Sequence, residues 1–97
     1  MKAKRKKKVT VRFYTILREK VGVDKTEVEA ENLYEVIEIL KQKFKEPFVS
    51  TLCDSSGKVK DYFIFLIDGK TVDHNKFKRT KLKDGQEIHI FPPIAGG

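Results

Sequence analysis

Glu87-Ile88-His89-Ile90-Phe91-Pro92-Pro93-Ile94-Ala95-Gly96-Gly97 closes this 97-residue sequence, and its two halves follow different rules. The first five residues alternate. Ile88 and Ile90 fall on one face and His89 and Phe91 on the other, the period of a strand with one buried side. Pro92 and Pro93 stop such a ladder, because neither has a backbone N–H and both fix φ. Gly96 and Gly97 then leave the slimmest backbone possible. Fully extended, residues 92–97 reach on the order of 20 Å, at ~3.3–3.6 Å per residue. Such an arm suits threading a narrow channel in another protein and presenting its carboxylate. The competing reading is an end that frays without purpose.

Working back from this strand, Asp84-Gly85 makes a turn into it. The polar stretch 73–83 has Phe77 and Leu82 as its apolar anchors. Tyr62 to Ile67 is a dense apolar run, which predicts a strand buried on both sides or nearly so. Asp68-Gly69 is a tight-turn dipeptide, and Lys70-Thr71-Val72 forms a short return strand. Residues 48–60 give no readable element beyond a loop at Asp54-Ser55-Ser56-Gly57-Lys58.

The clearest helix lies before that loop. Asn32 can cap it, and Glu35 stands three residues on, the capping-box spacing. Leu33, Val36, Ile37, Leu40 and Phe44 form one apolar stripe. Acids come early and bases late, as the helix dipole favours, and Pro47 ends the element. Val9 to Leu17 alternates as a first strand, with Tyr14 pointing away from the core. Arg18 to Gly22 is a polar turn, or a short helical one, closed by glycine. Thr26, Val28 and Ala30 alternate with Glu27, Glu29 and Glu31 in a second strand with an acidic outer face.

The order strand, strand, helix, strand, short strand, strand predicts an α+β domain of β-grasp (ubiquitin-like) type, a mixed sheet of four to five strands crossed by one long helix. In that arrangement the first and last strands lie parallel at the centre. Tyr14 and Phe91 then become neighbours on the uncovered face, with Arg12 and Arg18 close by, as a small partner-binding patch. Three segments are expected: a disordered basic tail over 1–8, the β-grasp domain over 9–91, and an extended Gly-Gly tail over 92–97.

The formal charge is +7, but Lys2, Lys4, Arg5, Lys6, Lys7 and Lys8 carry six of those charges, leaving the body at +1. A block of this kind is normally solvated, and no aromatic is interleaved to stack on bases. A nucleic-acid role is therefore disfavoured. No apolar run is long enough for a membrane span, and the basic start lacks the apolar core of a signal peptide, so a cytoplasmic location is expected.

Enzyme templates are missing. There is no G-x-S-x-G, no H-E-x-x-H, no C-x-x-C and no Gly-rich phosphate loop. His74 reads as part of a solvated turn, His89 as a strand spectator, and Cys53 as a buried or incidental thiol. Cys53 and two distant histidines make a poor metal site, so none is expected. The group left for chemistry is the Gly97 carboxylate. Activated as a mixed anhydride, it is open to a sulfur nucleophile or an amine, with no side chain in the way. The chain reads as a macromolecular substrate whose catalysis belongs to a partner.

The ending Phe91-Pro92-Pro93-Ile94-Ala95-Gly96-Gly97 resembles the F-P-P-[VI]-x-G-G terminus of the MoaD family, the small subunits of molybdopterin synthase. Val11 to Gly22 is similar to that family's first strand and following L-R-E-x-x-G turn, and Lys83 to Ile88 to its D-G-D-E-[VI] turn. The likeness covers about residues 9–45 and 62–97. ThiS and the ubiquitin-related modifiers share the double glycine, whereas the paired prolines favour MoaD.

The resemblance implies a sulfur carrier. A MoeB- or ThiF-like, ubiquitin-activating-type enzyme uses ATP to adenylate Gly97, a sulfur donor makes the thiocarboxylate, and the tail enters a MoaE-like large subunit to build molybdopterin. It implies no cofactor bound by the chain itself. Carried over by position, Pro92, Pro93, Ile94, Ala95 and Gly96 are the inserting tail, and Tyr14, Arg18 and Phe91 meet partners. The alternative is a protein modifier joined to target lysines through Gly97. A basic nucleic-acid-binding module ranks third.

Overall fold

The structure, a computed structural model, describes residues 6–92. Five strands form one mixed sheet in the order β2-β1-β5-β3-β4: β1 (Lys7–Phe13), β2 (Lys25–Ala30), β3 (Ile64–Ile67), β4 (Lys70–Thr71) and β5 (Glu87–Phe91). β1 and β5 run parallel, with Val11 opposite Ile88 and Phe13 opposite Ile90. The other neighbours are antiparallel. β2 and β3 therefore point the same way on opposite sides of the central pair. The chain has to cross a face of the sheet to join them, and helix α2 (Leu33–Phe44) makes that crossing. The expected β-grasp arrangement is the observed one.

Local chemistry explains α2. The Glu35 N–H donates to Asn32 Oδ1 at 2.9 Å, a cap whose loss costs about 1 kcal/mol. The reciprocal arm reaches one residue further back than a standard box, with the Glu31 N–H donating to Glu35 Oε1 at 2.8 Å. Leu33, Val36, Ile37 and Leu40 are buried against the sheet. They meet Val9, Val11 and Phe13 from β1, Val28 and Ala30 from β2, Phe65 and Ile67 from β3, and Ile88 and Ile90 from β5. Burying each large aliphatic side chain is worth about 1.5–3 kcal/mol. Glu27 and Glu29 stay exposed on the outer face of β2, as their alternation predicts.

Four expectations need correction. First, the strand predicted over Val9–Leu17 stops at Phe13. Thr15 takes φ 48°, turning the chain into helix α1 (Ile16–Val21) so that Leu17 becomes fully buried. Gly22 ends α1 at φ 81°, where its N–H donates to Arg18 O at 2.9 Å. That left-handed cap is the conformation glycine adopts without strain.

Second, the N-terminal boundary lies earlier than residue 9. Lys7 and Lys8 pair with Ala30 and Glu29 in the ladder. The Lys8 N–H donates to Asp84 Oδ1 at 2.9 Å and its carbonyl accepts from Gly85 N at 2.9 Å. Backbone pairing is indifferent to a lysine side chain that points to solvent. Met1 to Arg5 lie outside the described residues.

Third, β3 is half-buried, not buried on both faces. Phe65 and Ile67 are inside, while Ile64 is 44% exposed and Tyr62 51%. β4 returns from it through Asp68 and Gly69 at φ 53° and 76°, the positive pair a type I′ turn requires.

Fourth, the stretch 48–60 holds a short helix, α3 (Phe48–Leu52), with Phe48 and Leu52 fully buried. Phe13, Phe44 and Phe48 pack edge-on with ring centroids 5.6–5.9 Å apart. Phe77 and Leu82 do anchor the polar stretch, where residues His74–Arg79 form a 3₁₀ helix.

Candidate functional site

β5 lies between β1 and β3, so its outward side chains have neighbours on both sides. Phe91 stacks on Tyr14, with centroids 4.4 Å apart and planes 19° apart. Across the antiparallel pairing, Ile64 stands opposite Phe91 and Leu66 opposite His89. Cross-strand partners share a face, so Ile64 extends the aromatic pair into an apolar patch beside the end of β5.

A polar row runs along the same face. Arg12 donates from Nε and Nη2 to the two carboxylate oxygens of Glu87, at 3.2 and 3.3 Å. This bond is the main cause of both shifts: the Glu87 carboxyl titrates below its usual range and Arg12 above its own. Both groups are solvated, so the pair fixes side-chain positions more than it stabilises the fold. The Tyr14 hydroxyl lies 2.7 Å from His89 Nδ1, and His89 Nε2 lies 3.6 Å from Glu87 Oε1. The imidazole tautomer sets which of the two groups donates in the Tyr14–His89 bond. Arg12, Glu87, His89, Tyr14 and Phe91 thus form one continuous row ending where β5 ends. His89, expected as a spectator, is a member of it.

The structure brings together Tyr14 and Phe91, and Pro92 follows directly. Pro92 is buried, so it belongs to the packed domain rather than to a projecting arm. Arg18 sits on α1 and its Nη1 lies 3.7 Å from Asp24 Oδ1, so it is tied to that carboxylate rather than to the rings. Pro93, Ile94, Ala95, Gly96 and Gly97 lie outside the described residues. Ile64 is the patch residue sequence reasoning missed. The alternation of Phe63, Phe65 and Ile67 with Tyr62, Ile64 and Leu66 was its available signal.

The remaining candidates behave differently from each other. Cys53 is buried, and burial pushes its thiol pKa up, which opposes thiolate chemistry. His74 is not a solvated turn residue. Its Nε2 lies 2.7 Å from the Phe63 carbonyl, which can only accept, so the proton is on Nε2. Its ring packs on Phe65 and Phe77. Among the described residues no group of three or more His, Cys, Asp or Glu side chains could hold a metal, and no helix is long and apolar enough to cross a membrane.

The ThiS family model matches residues 11–97, from the second half of β1 to the terminal glycine. The chain belongs to the ThiS family. Small archaeal modifier protein 3 of Haloferax volcanii is 42% identical to it over 41 residues, 42% of this chain and 45% of that relative. The matched stretch thus spans under half the length of this curated relative. The solution structure of small archaeal modifier protein 1 from Methanosarcina acetivorans superposes with a TM-score of 0.80 at 26% identity, covering 97% of this chain and 100% of that one. A Pyrococcus furiosus chain provisionally described as molybdopterin converting factor subunit 1 superposes at a TM-score of 0.66, covering 91% and 99%. At 23% identity that likeness is one of fold. This ThiS-family chain accordingly shares the ubiquitin-like fold of these relatives, in line with the MoaD and ThiS resemblance of its terminus.

Proposed function

We propose that this chain is a sulfur carrier for molybdopterin synthesis, with the Gly97 carboxylate as its working group. The observation that supports this most is that the ThiS match runs through to Gly97 behind the Phe91-Pro92-Pro93 end of central strand β5. In the proposed sequence a MoeB- or ThiF-like partner attacks ATP with the Gly97 carboxylate, forming the acyl adenylate and releasing pyrophosphate. Hydrosulfide from the sulfur donor adds to the activated carbonyl and AMP leaves, giving the thiocarboxylate. The tail then enters a MoaE-like large subunit, where the sulfur passes to the acceptor and water restores the Gly97 carboxylate. Tyr14 and Phe91, extended by Ile64, are the docking patch at the base of the tail, and Arg18, paired with Asp24, is a partner contact apart from the rings. The chain binds no cofactor of its own, since ATP belongs to the activating enzyme.

Intact-mass measurement after incubation with ATP, a MoeB-like enzyme and a sulfur source tests the reading. The expected result is a gain equal to exchanging one oxygen for sulfur, lost when Gly97 is deleted. An unchanged mass under conditions that thiolate a MoaD control overturns it.

A second reading has its own support, because the relatives in sequence and in structure include proteins named as archaeal modifiers. In it, a lysine amine of a target replaces sulfur as the nucleophile on the same adenylate. Peptides from the native host carrying a Gly97 remnant on lysine would favour conjugation. Thiocarboxylate without such remnants favours sulfur transfer alone.

A further inference from the structure

A second surface lies on the helix side of the sheet, opposite the aromatic patch. A cleft of about 420 Å³ opens between α2, the 57–59 loop and the 3₁₀ helix, within the size range of ligand-binding clefts. Its floor is apolar, made by Ile37, Val59 and Phe77. Tyr34, 40% exposed, forms one wall, with Lys78 Nζ 4.8 Å above its ring. One side of the loop is fixed to α2 by Lys41, which donates to Gly57 O at 2.7 Å and to Glu38 Oε2 at 3.1 Å.

Charge around this cleft is lopsided. Glu38 is its one lining acid, and Lys41 already matches it. Lys58, Lys78 and Arg79 are exposed at the rim and make no ion pair among the described residues. His74 contributes to the wall, and its Nδ1 is the buried side-chain polar atom without a hydrogen-bond partner among the described residues.

The arrangement selects among anions. The two helix starts nearest the cleft are capped by their own side chains, Asn32 for α2 and Asp73 for the 3₁₀ helix. A compact phosphate, which prefers a cluster of backbone amides, would find these helix starts already capped. Side-chain cations at the rim of an apolar floor instead match an extended chain with several carboxylates about one bulky residue. Tyr and Arg at the wall and rim are the residue types that dominate protein interfaces.

We infer that this cleft docks an acidic segment of a partner protein. A bulky apolar side chain seats on Ile37, Val59 and Phe77 beside Tyr34, and flanking carboxylates pair with Lys58, Lys78 and Arg79. The site needs nothing from the Gly97 chemistry and stands or falls without it. It also lets one partner hold the helix side while another takes the sheet side.

The test is a fluorescence-anisotropy titration of the full chain with a dye-labelled peptide of aspartates and glutamates around one phenylalanine, with amide-resonance mapping. Expected are saturable binding and resonance shifts at Tyr34, Val59, Phe77 and Lys78. Combined Lys78→Glu and Arg79→Glu reversal should weaken binding about ten-fold or more, ~1.4 kcal/mol. Tyr34→Ala, or alanine in place of the peptide phenylalanine, should also weaken it, whereas Phe91→Ala should not. Circular dichroism verifies that these surface variants remain folded, and Lys58→Glu gives an independent rim variant. The inference is overturned by no saturable binding at low salt, equal binding of the alanine-centred peptide, or shifts confined to the sheet face. AMP displacing the peptide from these residues would also overturn it, in favour of a nucleotide site.

Discussion

Tyr14 and Phe91 come from opposite ends of the chain and stack with ring centroids 4.4 Å apart. The parallel pairing of β1 and β5 makes this possible, because it places the end of the first strand beside the end of the last. An aromatic stack of this kind adds about 0.5–1.5 kcal/mol beyond area burial. A double-mutant cycle of Tyr14→Ala and Phe91→Ala, read by denaturant unfolding, should return a coupling of that size. A coupling near zero would mean that the rings are adjacent without supporting each other.

The same patch bears on partner recognition. Phe91→Ala leaves the Gly97 carboxylate chemically intact, so an effect on thiocarboxylate formation has to come through docking. Loss of a central aromatic anchor typically costs more than ~1 kcal/mol. We expect the KM for the activating enzyme to rise several-fold, with the tail still convertible at high carrier concentration. Ile64→Ala should act in the same direction. An unchanged KM in both variants would remove the patch from the interface.

Acid should act through Glu87. Its folded pKa is depressed by the Arg12 hydrogen bonds, so its stabilising contribution is present above the unfolded carboxylate value, about 4.3. The contribution is lost as pH falls through the lower folded value. Melting temperatures of the wild type and Glu87→Gln, compared from about pH 6 down to about pH 3, should converge on acidification. Parallel curves would show that the pair contributes nothing measurable, as many exposed pairs do.

Phe48 tests the helix that the sequence concealed. It is fully buried and packs edge-on against Phe13 and Phe44. Phe48→Ala should cost about 3–5 kcal/mol in urea unfolding. A loss below about 1 kcal/mol would place α3 outside the cooperative core.

What could be read in advance follows from how far each signal acts. α2 was legible because its stripe and cap are local and repeat over three turns. β5 was legible because five alternating residues run into proline, and the meeting of Tyr14 with Phe91 followed from strand order alone. Leu17 was misplaced because Thr15 turns the chain at a backbone angle that a β-branched residue rarely adopts. α3 is only five residues long, too short for a helical period to emerge, and tertiary burial of Phe48 and Leu52 holds it in place. His74 looked solvated among polar neighbours, yet the Phe63 carbonyl and two phenyl rings claim it from elsewhere in the chain. In the candidate site, side-chain identities were readable but the Arg12–Glu87–His89–Tyr14 row was not, since it depends on strand register.

The direction of β5 carries a mechanical consequence. It is gripped by β1 on one side and β3 on the other, and it runs parallel to the strand nearest the amino terminus. Tension applied at the two ends of the chain would pull β1 and β5 past each other lengthwise. The hydrogen bonds between them would then share the load at once, instead of opening one after another as in a peeled hairpin. A machine that tugs on the final glycine meets the sheet in shear, the geometry in which it yields last.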